Sequence, residues 1–549
     1  MQIQPLDYFI TIAYILGVVA LGLYAGVLMK KKSSAGEGRD YFLAGGTLTW
    51  PVIGMALFAT NISCVHLVSL AQAGYDEGLL QGNFEWMAAF TLILLGLFFA
   101  PFYIRARVST LPDFLEQRYN RNCRDWLAVL SLVGAISIHI GMSFLTGGLV
   151  IEEIFGINFY TGIVTIALLT AIYTIVGGLL AVVLTEAIQT VILILGACTI
   201  TWFALEKMGG WSEMTTVLTE QGELNRLSML RPTGDESHMP WYSIMLGYPV
   251  IGIWYWCADQ TIVQRVLGAK DENHARVGPL FAACIKILPV FIFVLPGLLA
   301  YTLASKGLFD ISSLPIDSDG EVDTKNIYTL MITQLLPTGL VGLMIAAILA
   351  ALMSTVSGAL NSISTLVSFD LYKRFRPQAT DHQLVTVGRI AAAVALAIAL
   401  GLVPVLRTSD SIFRTLNEII VHIAPPITCV FLLGVFWKGA TAFSAQWTLW
   451  VGSAMCVAMI VVKKYATLPL DLNNDFMLLS FVLFCSCVML QVVLAKARPK
   501  AGTAGENVDL TWSSPLEPLR APGWSGILNY KLITLGILLT MAVLYLVFR

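Results

Sequence analysis

Thr60-Asn61-Ile62-Ser63, with His66 one turn later, puts an amide, two hydroxyls and an imidazole inside the apolar stretch 56–74. Such groups are costly inside a membrane unless they line a cavity or meet partners. Two structures would tolerate them. One is a core helix with satisfied polar side chains. The other is a discontinuous helix whose opened backbone offers carbonyl oxygens to an ion and side chains to a polar solute. Ala351, Ser354 and Thr355 stand at i, i+3 and i+4 in another apolar stretch, which places one carbonyl and two hydroxyls on a single helical face. Helical hydroxyls commonly bond back to their own backbone. Combined with the backbone at Ala59 and Ile62, however, they offer about five neutral oxygens. By extension of the oxygen preference of calcium and magnesium, that shell suits a hard monovalent cation such as sodium. It holds no carboxylate, which disfavours a divalent ion, and the nine scattered cysteines have no zinc-type spacing, so no transition metal is expected.

Five ionisable residues lie in apolar stretches: His66, Glu85, Glu186, Asp259 and Lys286. Each is a functional candidate by default. Glu85 and Lys286 have opposite charge and similar inferred depth, and so read as a buried pair that either ties two helices or also bonds a solute. Asp259 is close to Arg265 and is expected to form a structural salt bridge with it at a helix end. Trp254-Tyr255-Trp256 falls in a glycine-containing run with Gly247 and Gly252. Three successive rings point around a helix rather than to one lipid level, so at least one is expected to contact a solute.

The elements that must position these groups follow from composition. The chain has 549 residues, 57% hydrophobic and 12% charged, against about 25% charged in soluble domains. This is an all-α integral membrane protein: fourteen apolar runs approach the roughly 20 residues a helical span needs. They are 8–29, 48–73, 83–104, 127–154, 159–176, 179–203, 243–263, 277–303, one within 328–369, 384–406, 412–436, 442–462, 476–494 and 530–548. The first reads as an uncleaved helix. Alternate loops carry the cations, among them Lys30-Lys31-Lys32, the arginines from Arg105 to Arg124, and Lys373 with Arg374 and Arg376. The positive-inside rule then puts both termini outside. The net charge of -2 gives no reason to expect nucleic acid as a partner. The only N-glycosylation sequon is Asn61-Ile62-Ser63, inside the membrane, which favours a bacterial inner membrane.

Several ordered motifs resemble the sodium/solute symporter family, in its sodium/glucose cotransporter-like branch. They include Asp40-Tyr-Phe-Leu-Ala-Gly-Gly-Thr-Leu-Thr-Trp50, Gly177-Gly178-Leu179, Tyr255-Trp-Cys-Ala-Asp-Gln-Thr-Ile-Val-Gln-Arg-Val-Leu-Gly-Ala-Lys270 and Phe431-Leu-Leu-Gly-Val-Phe-Trp-Lys438. The resemblance runs from about residue 40 to 440. It implies two inverted five-helix repeats, a LeuT-like core of spans 2–6 and 7–11, in which the second and seventh spans are the broken helices. Residues 1–46 then form a first helix and linker, 47–437 the transport core, and 438–549 three added helices with a linker at 498–526.

The resemblance also assigns residues. Sodium falls to the carbonyls of Ala59, Ile62 and Ala351 and to the hydroxyls of Ser354 and Thr355. Sugar falls to Asn61, His66, Glu85, Lys286 and Asn417, with Tyr255 as a gate beneath it; Trp254 and Trp256 join the expected substrate contacts through the aromatic run read above. Asn417 stands where sugar-carrying relatives have Gln, and Gly252 where they have Asn or Thr. Glu186 and Gly358 stand where a second sodium would meet Asp and Ser, so a second site built on Glu186 and Thr355 would be weak and one sodium per cycle is expected. The implied activity is sodium-coupled symport of a glucose- or galactose-like sugar or polyol across the lipid bilayer, with no organic cofactor and no enzymatic step. The alternatives are an organic anion such as sialic acid or a monocarboxylate, and a sodium-independent channel or sensor. Sialic-acid relatives carry an Arg in the fourth span, whereas 136–148 has none; His139 is the one residue there that could carry charge.

Overall fold

Backbone polar groups in lipid must be satisfied within the segment, which leaves a chain this apolar to fold as helices. The computed structural model describes residues 3–32, 36–235, 237–316, 322–407, 412–499, 510–514 and 516–549, with side chains left out at 28–32 and 412–417. Among the described residues there are helices and three isolated bridges. Among the described residues, eleven helical stretches are long and apolar enough to cross a membrane. The count of about fourteen is not reproduced by that measure, because some spans are merged and others are broken into short pieces. Cys64–Ala106 joins half of one expected span to the next, and Phe159–Met208 is a single run of 50 residues.

At 1.5 Å per residue that run would extend about 75 Å, far beyond a hydrocarbon core of about 30 Å. It is divided at Gly178, where φ 58° and ψ -158° leave the helical region. A Cβ there would lie 2.5 Å from the Tyr41 carbonyl oxygen. Gly178→Ala is therefore expected to destabilise the protein by about 2–4 kcal/mol, from backbone strain plus the clash. Thermal unfolding of the detergent-purified variant checks this; an unchanged midpoint would remove the steric account.

The second span is broken into Trp50–Asn61 and Cys64–Glu77. The seventh runs as Trp241–Ile253, continues through a π-helical turn at Trp254–Ala258, leaves helical geometry at Asp259 and resumes as Gln260–Leu267. The third and eighth spans share a second irregularity. Each has a five-residue π-helical turn, Leu95–Phe99 and Val290–Val294, followed by a helix with proline at its second position, Pro101 and Pro296. These matched interruptions fall in the first and second helices of each repeat. π-turns of this kind concentrate at functional sites.

Small residues let the interrupted helices lie close together. Trp50–Asn61 packs on Glu272–Ile285, and Cys64–Glu77 on Leu295–Ser305. A Cβ on Gly74 would fall 2.0 Å from the Val294 oxygen, and one on Gly297 would fall 1.9 Å from the Ala71 oxygen. The ninth span, Leu340–Leu366, packs against Phe159–Met208 and Trp50–Asn61. Its N-terminal amides are met by Asp7 of the first span, whose carboxylate accepts from Gly339 N at 2.7 Å and Gly342 N at 2.8 Å, an anion placed where the helix dipole favours it. The last helix, Tyr530–Val547, packs on Asn83–Leu94 and Glu272–Ile285. These two helices carry the Glu85 and Lys286 ends of the buried pair.

Candidate functional site

The break in the second span comes from two consecutive extended residues, Ile62 (φ -76°, ψ 101°) and Ser63 (φ -99°, ψ 172°). Ser63 caps the second half: its amide donates to His66 Nδ1 at 3.3 Å, and its hydroxyl lies 3.0 Å from the same nitrogen. His66 is thus held as part of the cap as well as facing the cavity described below. The final carbonyls of the first half have no intrahelical donors, and they meet the ninth span instead. Ser354 Oγ donates to the Ala59 carbonyl at 2.8 Å, and Thr355 Oγ1 lies 3.3 Å from the Thr60 carbonyl. Both hydroxyls also reach the Ala351 carbonyl, at 3.0 and 3.1 Å. Back-bonding within the helix and bridging between helices therefore coexist. Ala59, Ala351, Ser354 and Thr355 form one buried oxygen cluster, and Ile62 sits at the break beside it. Neutral carbonyl and hydroxyl oxygens of this kind fit a hard monovalent cation.

Next to that cluster is a cavity of about 120 Å³ whose walls include Asn61, His66, Glu85, Tyr255, Trp256 and Lys286. Thr60 and Thr355 line it as well, so the ion cluster and the cavity share a wall. Lys286 caps the C-terminus of Glu272–Ile285, where the helix dipole favours a cation. Its ammonium pairs with Glu85 and donates to Asn61 Oδ1 at 2.5 Å, and both charged side chains are buried. Asn61 Nδ2 in turn donates to Tyr255 Oη at 3.1 Å. Four groups expected from sequence thus form one chain, Glu85–Lys286–Asn61–Tyr255. Trp254 is buried and is not among the walls. The side chain of Asn417 lies outside the described residues.

Several wall residues escaped sequence reading as solute contacts, among them His139, Ser143 and Tyr248. Tyr248 stands one turn before Gly252, and a Cβ on Gly252 would fall 2.7 Å from its Cε1. The ring has taken the space that a side chain at 252 would need, and its hydroxyl donates to the Phe84 carbonyl at 2.9 Å. A glycine one turn after an aromatic residue was the available signal. Gly252→Thr should displace this ring and raise the substrate KM about tenfold, the worth of about 1.4 kcal/mol, with sodium dependence retained. Uptake kinetics check this, and an unchanged KM would mean that Tyr248 does not shape the pocket.

Asp259 does not pair with Arg265. One of its oxygens caps Gln260–Leu267 by accepting from Thr261 N at 2.7 Å; the other lies 3.0 Å from His139 Nε2. The extended backbone at Asp259 lets its carboxylate cap the helix that follows and reach the fourth span at once, which leaves Arg265 to find Glu186, at 2.5 Å. Glu186 is therefore held by an arginine and by the Thr60 hydroxyl, at 2.8 Å.

Paired helix interruptions facing one another, with an oxygen cluster and a polar cavity at the breaks, define a secondary transporter with inverted repeats. The chain belongs to the sodium:solute symporter family, whose model matches residues 41–452. It is 33% identical to sodium/glucose cotransporter 4 of Danio rerio over 543 residues, 93% of this chain and 81% of that protein. It is 34% identical to sodium/glucose cotransporter 1 of Ovis aries over 83% of this chain and 72% of that one. Identity is also 34% to the sodium/mannose cotransporter of Bos taurus, over 83% and 79% of the two chains. Among solved structures, a Na+-coupled sialic acid symporter in a substrate-bound outward-open state superposes with a TM-score of 0.78 at 24% identity, covering 91% of this chain and 99% of that one. The protein is a sodium-coupled membrane transporter, not an enzyme.

Proposed function

We propose that this chain carries a neutral monosaccharide, glucose- or galactose-like, or a related polyol, into the cell with one sodium ion per cycle. The observation that carries this reading is charge pairing at the cavity. Lys286, the one lysine or arginine among the described residues on its walls, is paired with Glu85, and the His139 imidazole meets Asp259, so no lysine or arginine there is left without a carboxylate partner. What a solute meets is hydrogen-bonding capacity from Asn61, His66, Ser143 and Tyr255 beside the aromatic walls of Tyr248 and Trp256. Hydroxyl groups match that capacity and ring faces match the aromatics. An organic anion such as sialic acid or a monocarboxylate would need a cation without a partner.

In the proposed cycle sodium binds the carbonyls of Ala59, Ile62 and Ala351 and the hydroxyls of Ser354 and Thr355, fixing the break between Trp50–Asn61 and Cys64–Glu77. The same break orients Asn61 and His66 toward the sugar, so filling one site builds the other. A ligand shifts such an equilibrium only through differential affinity for its two states, and the shared helix break supplies it. The loaded carrier then opens inward, sodium leaves, and Tyr255 moves to free the sugar. One charge crossing about 100 mV releases about 2.3 kcal/mol, and a tenfold sodium gradient adds about 1.4 kcal/mol. Together they sustain a solute gradient of a few hundred-fold. Both termini are proposed to face outside, across a bacterial inner membrane.

Uptake into proteoliposomes, with a panel of labelled hexoses, polyols and carboxylates, tests the reading. Saturable hexose uptake driven by an inward sodium gradient is expected. Equal flux without sodium would replace the symporter with a channel, and accumulation of a carboxylate in place of a hexose would overturn the substrate class.

A further inference from the structure

Between the last two spans, Phe476–Ala497 and Tyr530–Val547, the polar linker sends three residues back into the protein. Leu510, Thr511 and Trp512 are 7%, 8% and 4% exposed. Trp512 joins two spans. Its indole Nε1 donates to the Phe98 carbonyl at 3.2 Å, within the π-helical turn of the third span. Its amide donates to the Val435 carbonyl at 3.0 Å, at the end of Ile412–Phe436. Thr511 Oγ1 donates to the neighbouring Gly434 carbonyl at 3.2 Å, which also accepts from Arg118 Nε at 2.8 Å. The last carbonyls of a helix have no donors within it, so the linker supplies what the eleventh span lacks. The indole ring lies on Phe102, with 4.2 Å between centroids, and 5.4 Å from the Arg105 guanidinium. Arg105 is itself fixed by two bonds to Glu272 at the start of the eighth span, each 2.9 Å. Further along, Trp524 meets His274 edge-on at 4.8 Å, and Tyr530 Oη donates to the carbonyls of Pro518 and Ala521.

We propose that Trp512 is a positioning residue of the transport cycle: it clasps the inner ends of the third and eleventh spans together and holds the carrier closed to the cytoplasm until the clasp releases. In the orientation proposed above, the linker lies on the cytoplasmic face. Both clasped helices reach the solute cavity, since Phe84 and Glu85 of the third span and Ile420 of the eleventh are among its walls. A tie between their inner ends therefore bears on the pocket through two rigid helices. The third span belongs to the first repeat and the eleventh to the second, and alternating access moves one repeat against the other. An inward opening that parts these ends must break the bonds to Phe98 and Val435 and expose the indole. With the clasp in place, the Asn61–Tyr255 bond at the cavity is also made, so the two inner closures coexist. Tryptophan suits this task because it buries a large ring and still offers one donor. Trp512 is not among the cavity walls; it acts on which side the pocket faces and not on what the pocket holds.

The clasp rests on the alternating-access reading, and its test includes a readout that needs no transport. The exposed Cys198, Cys284 and Cys485 are replaced by Ser. Spin labels are placed at Arg107 and Lys438, both exposed just beyond the inner ends of the two spans. Their separation is measured by pulsed electron resonance in lipid with saturating sodium. Wild type should give one short distance, and Trp512→Ala should add a longer one. Trp512→Phe, which keeps a ring on Phe102 and loses the indole donor, should fall between them. In proteoliposomes the Ala variant should release preloaded hexose about threefold faster and raise the external half-saturating sodium concentration about threefold, because apparent affinity falls with the fraction of the competent state. A linker that only stabilises the fold predicts a lower unfolding midpoint with the distances, release rate and sodium dependence unchanged, and that result overturns the proposal. Should Trp512→Ala fail to fold, Trp512→Phe combined with Thr511→Val removes both side-chain donors while nearly keeping their volume. An unchanged distance distribution in that protein overturns the proposal. Absence of any sodium-driven uptake by wild type would instead sink the symport reading and leave the distances to decide the clasp.

Discussion

Replacing Ser354 and Thr355 together by Ala should abolish sodium-driven uptake while leaving slow sugar exchange at high sugar concentration. The two hydroxyls supply two of the five oxygens proposed for the ion, and the site is buried, so water does not readily replace them. A hydrogen bond or contact to a charged group contributes about 1.5–3 kcal/mol. Losing two would weaken sodium binding by about 3–6 kcal/mol, on the order of 10²- to 10⁴-fold. The same substitutions remove the bonds to the Ala59 and Thr60 carbonyls that join the ninth span to the broken helix. A purely structural role predicts loss of fold or of all transport. The ion-site role predicts loss of coupling alone, with Thr355→Ser near wild type because it keeps the oxygen. Labelled sugar uptake and counterflow, each measured across a sodium titration, distinguish these. Wild-type sodium dependence in the double variant would sink the ion assignment.

The parts of this site that sequence made legible share a property: their meaning is local. The Asn61-Ile62-Ser63 interruption and the i, i+3, i+4 spacing of Ala351, Ser354 and Thr355 each depend on a few adjacent residues, and both are present. Glu85 and Lys286 could be paired because two opposite charges at one depth in an apolar bundle have few other partners. Partner choice failed where geometry departs from the regular helix. Asp259 seemed to belong to Arg265 six residues on, but the π-turn at Trp254–Ala258 and the extended backbone at Asp259 rotate its carboxylate to His139. The same turn governs the three consecutive rings: Tyr255 and Trp256 line the cavity and Trp254 does not. Periodicity assumes about 100° per residue, and the π-turn at Trp254–Ala258 breaks that count with no glycine or proline inside it. The paired turns in the third and eighth spans were unseen for the same reason, although Pro101 and Pro296 marked where each ends. Gly178 shows the opposite case: a Gly-Gly pair between two apolar runs was read as the division between spans, and it lies where the backbone leaves helical geometry.

Glu85→Ala should remove sugar binding while leaving sodium binding measurable. The carboxylate has two roles in the proposed pocket, as an acceptor for sugar hydroxyls and as the counter-ion of Lys286. Removing it leaves a buried ammonium that still donates to Asn61. Breaking one side of a buried pair costs about 3–5 kcal/mol, and much of that falls on the pocket because Asn61 and Tyr255 belong to the same chain of bonds. The oxygens proposed for sodium belong to the backbone at Ala59 and Ile62 and to the ninth span, where Ser354 and Thr355 bond to the carbonyls of Ala59, Thr60 and Ala351 and not to the charged pair. Glu85→Gln keeps an acceptor oxygen but loses the charge, so it should fall between wild type and Ala. Glu85→Ala combined with Lys286→Ala removes the stranded cation and should recover folding stability without recovering sugar affinity. That pattern separates a pair that only ties two helices from one that also bonds the solute: a purely structural pair would regain sugar affinity in the double variant. Sugar binding by equilibrium dialysis, with sodium binding followed through protection against thermal unfolding, gives both readouts on one sample. Unchanged sugar affinity in Glu85→Ala would take this residue out of the site and leave the cavity without its principal acceptor.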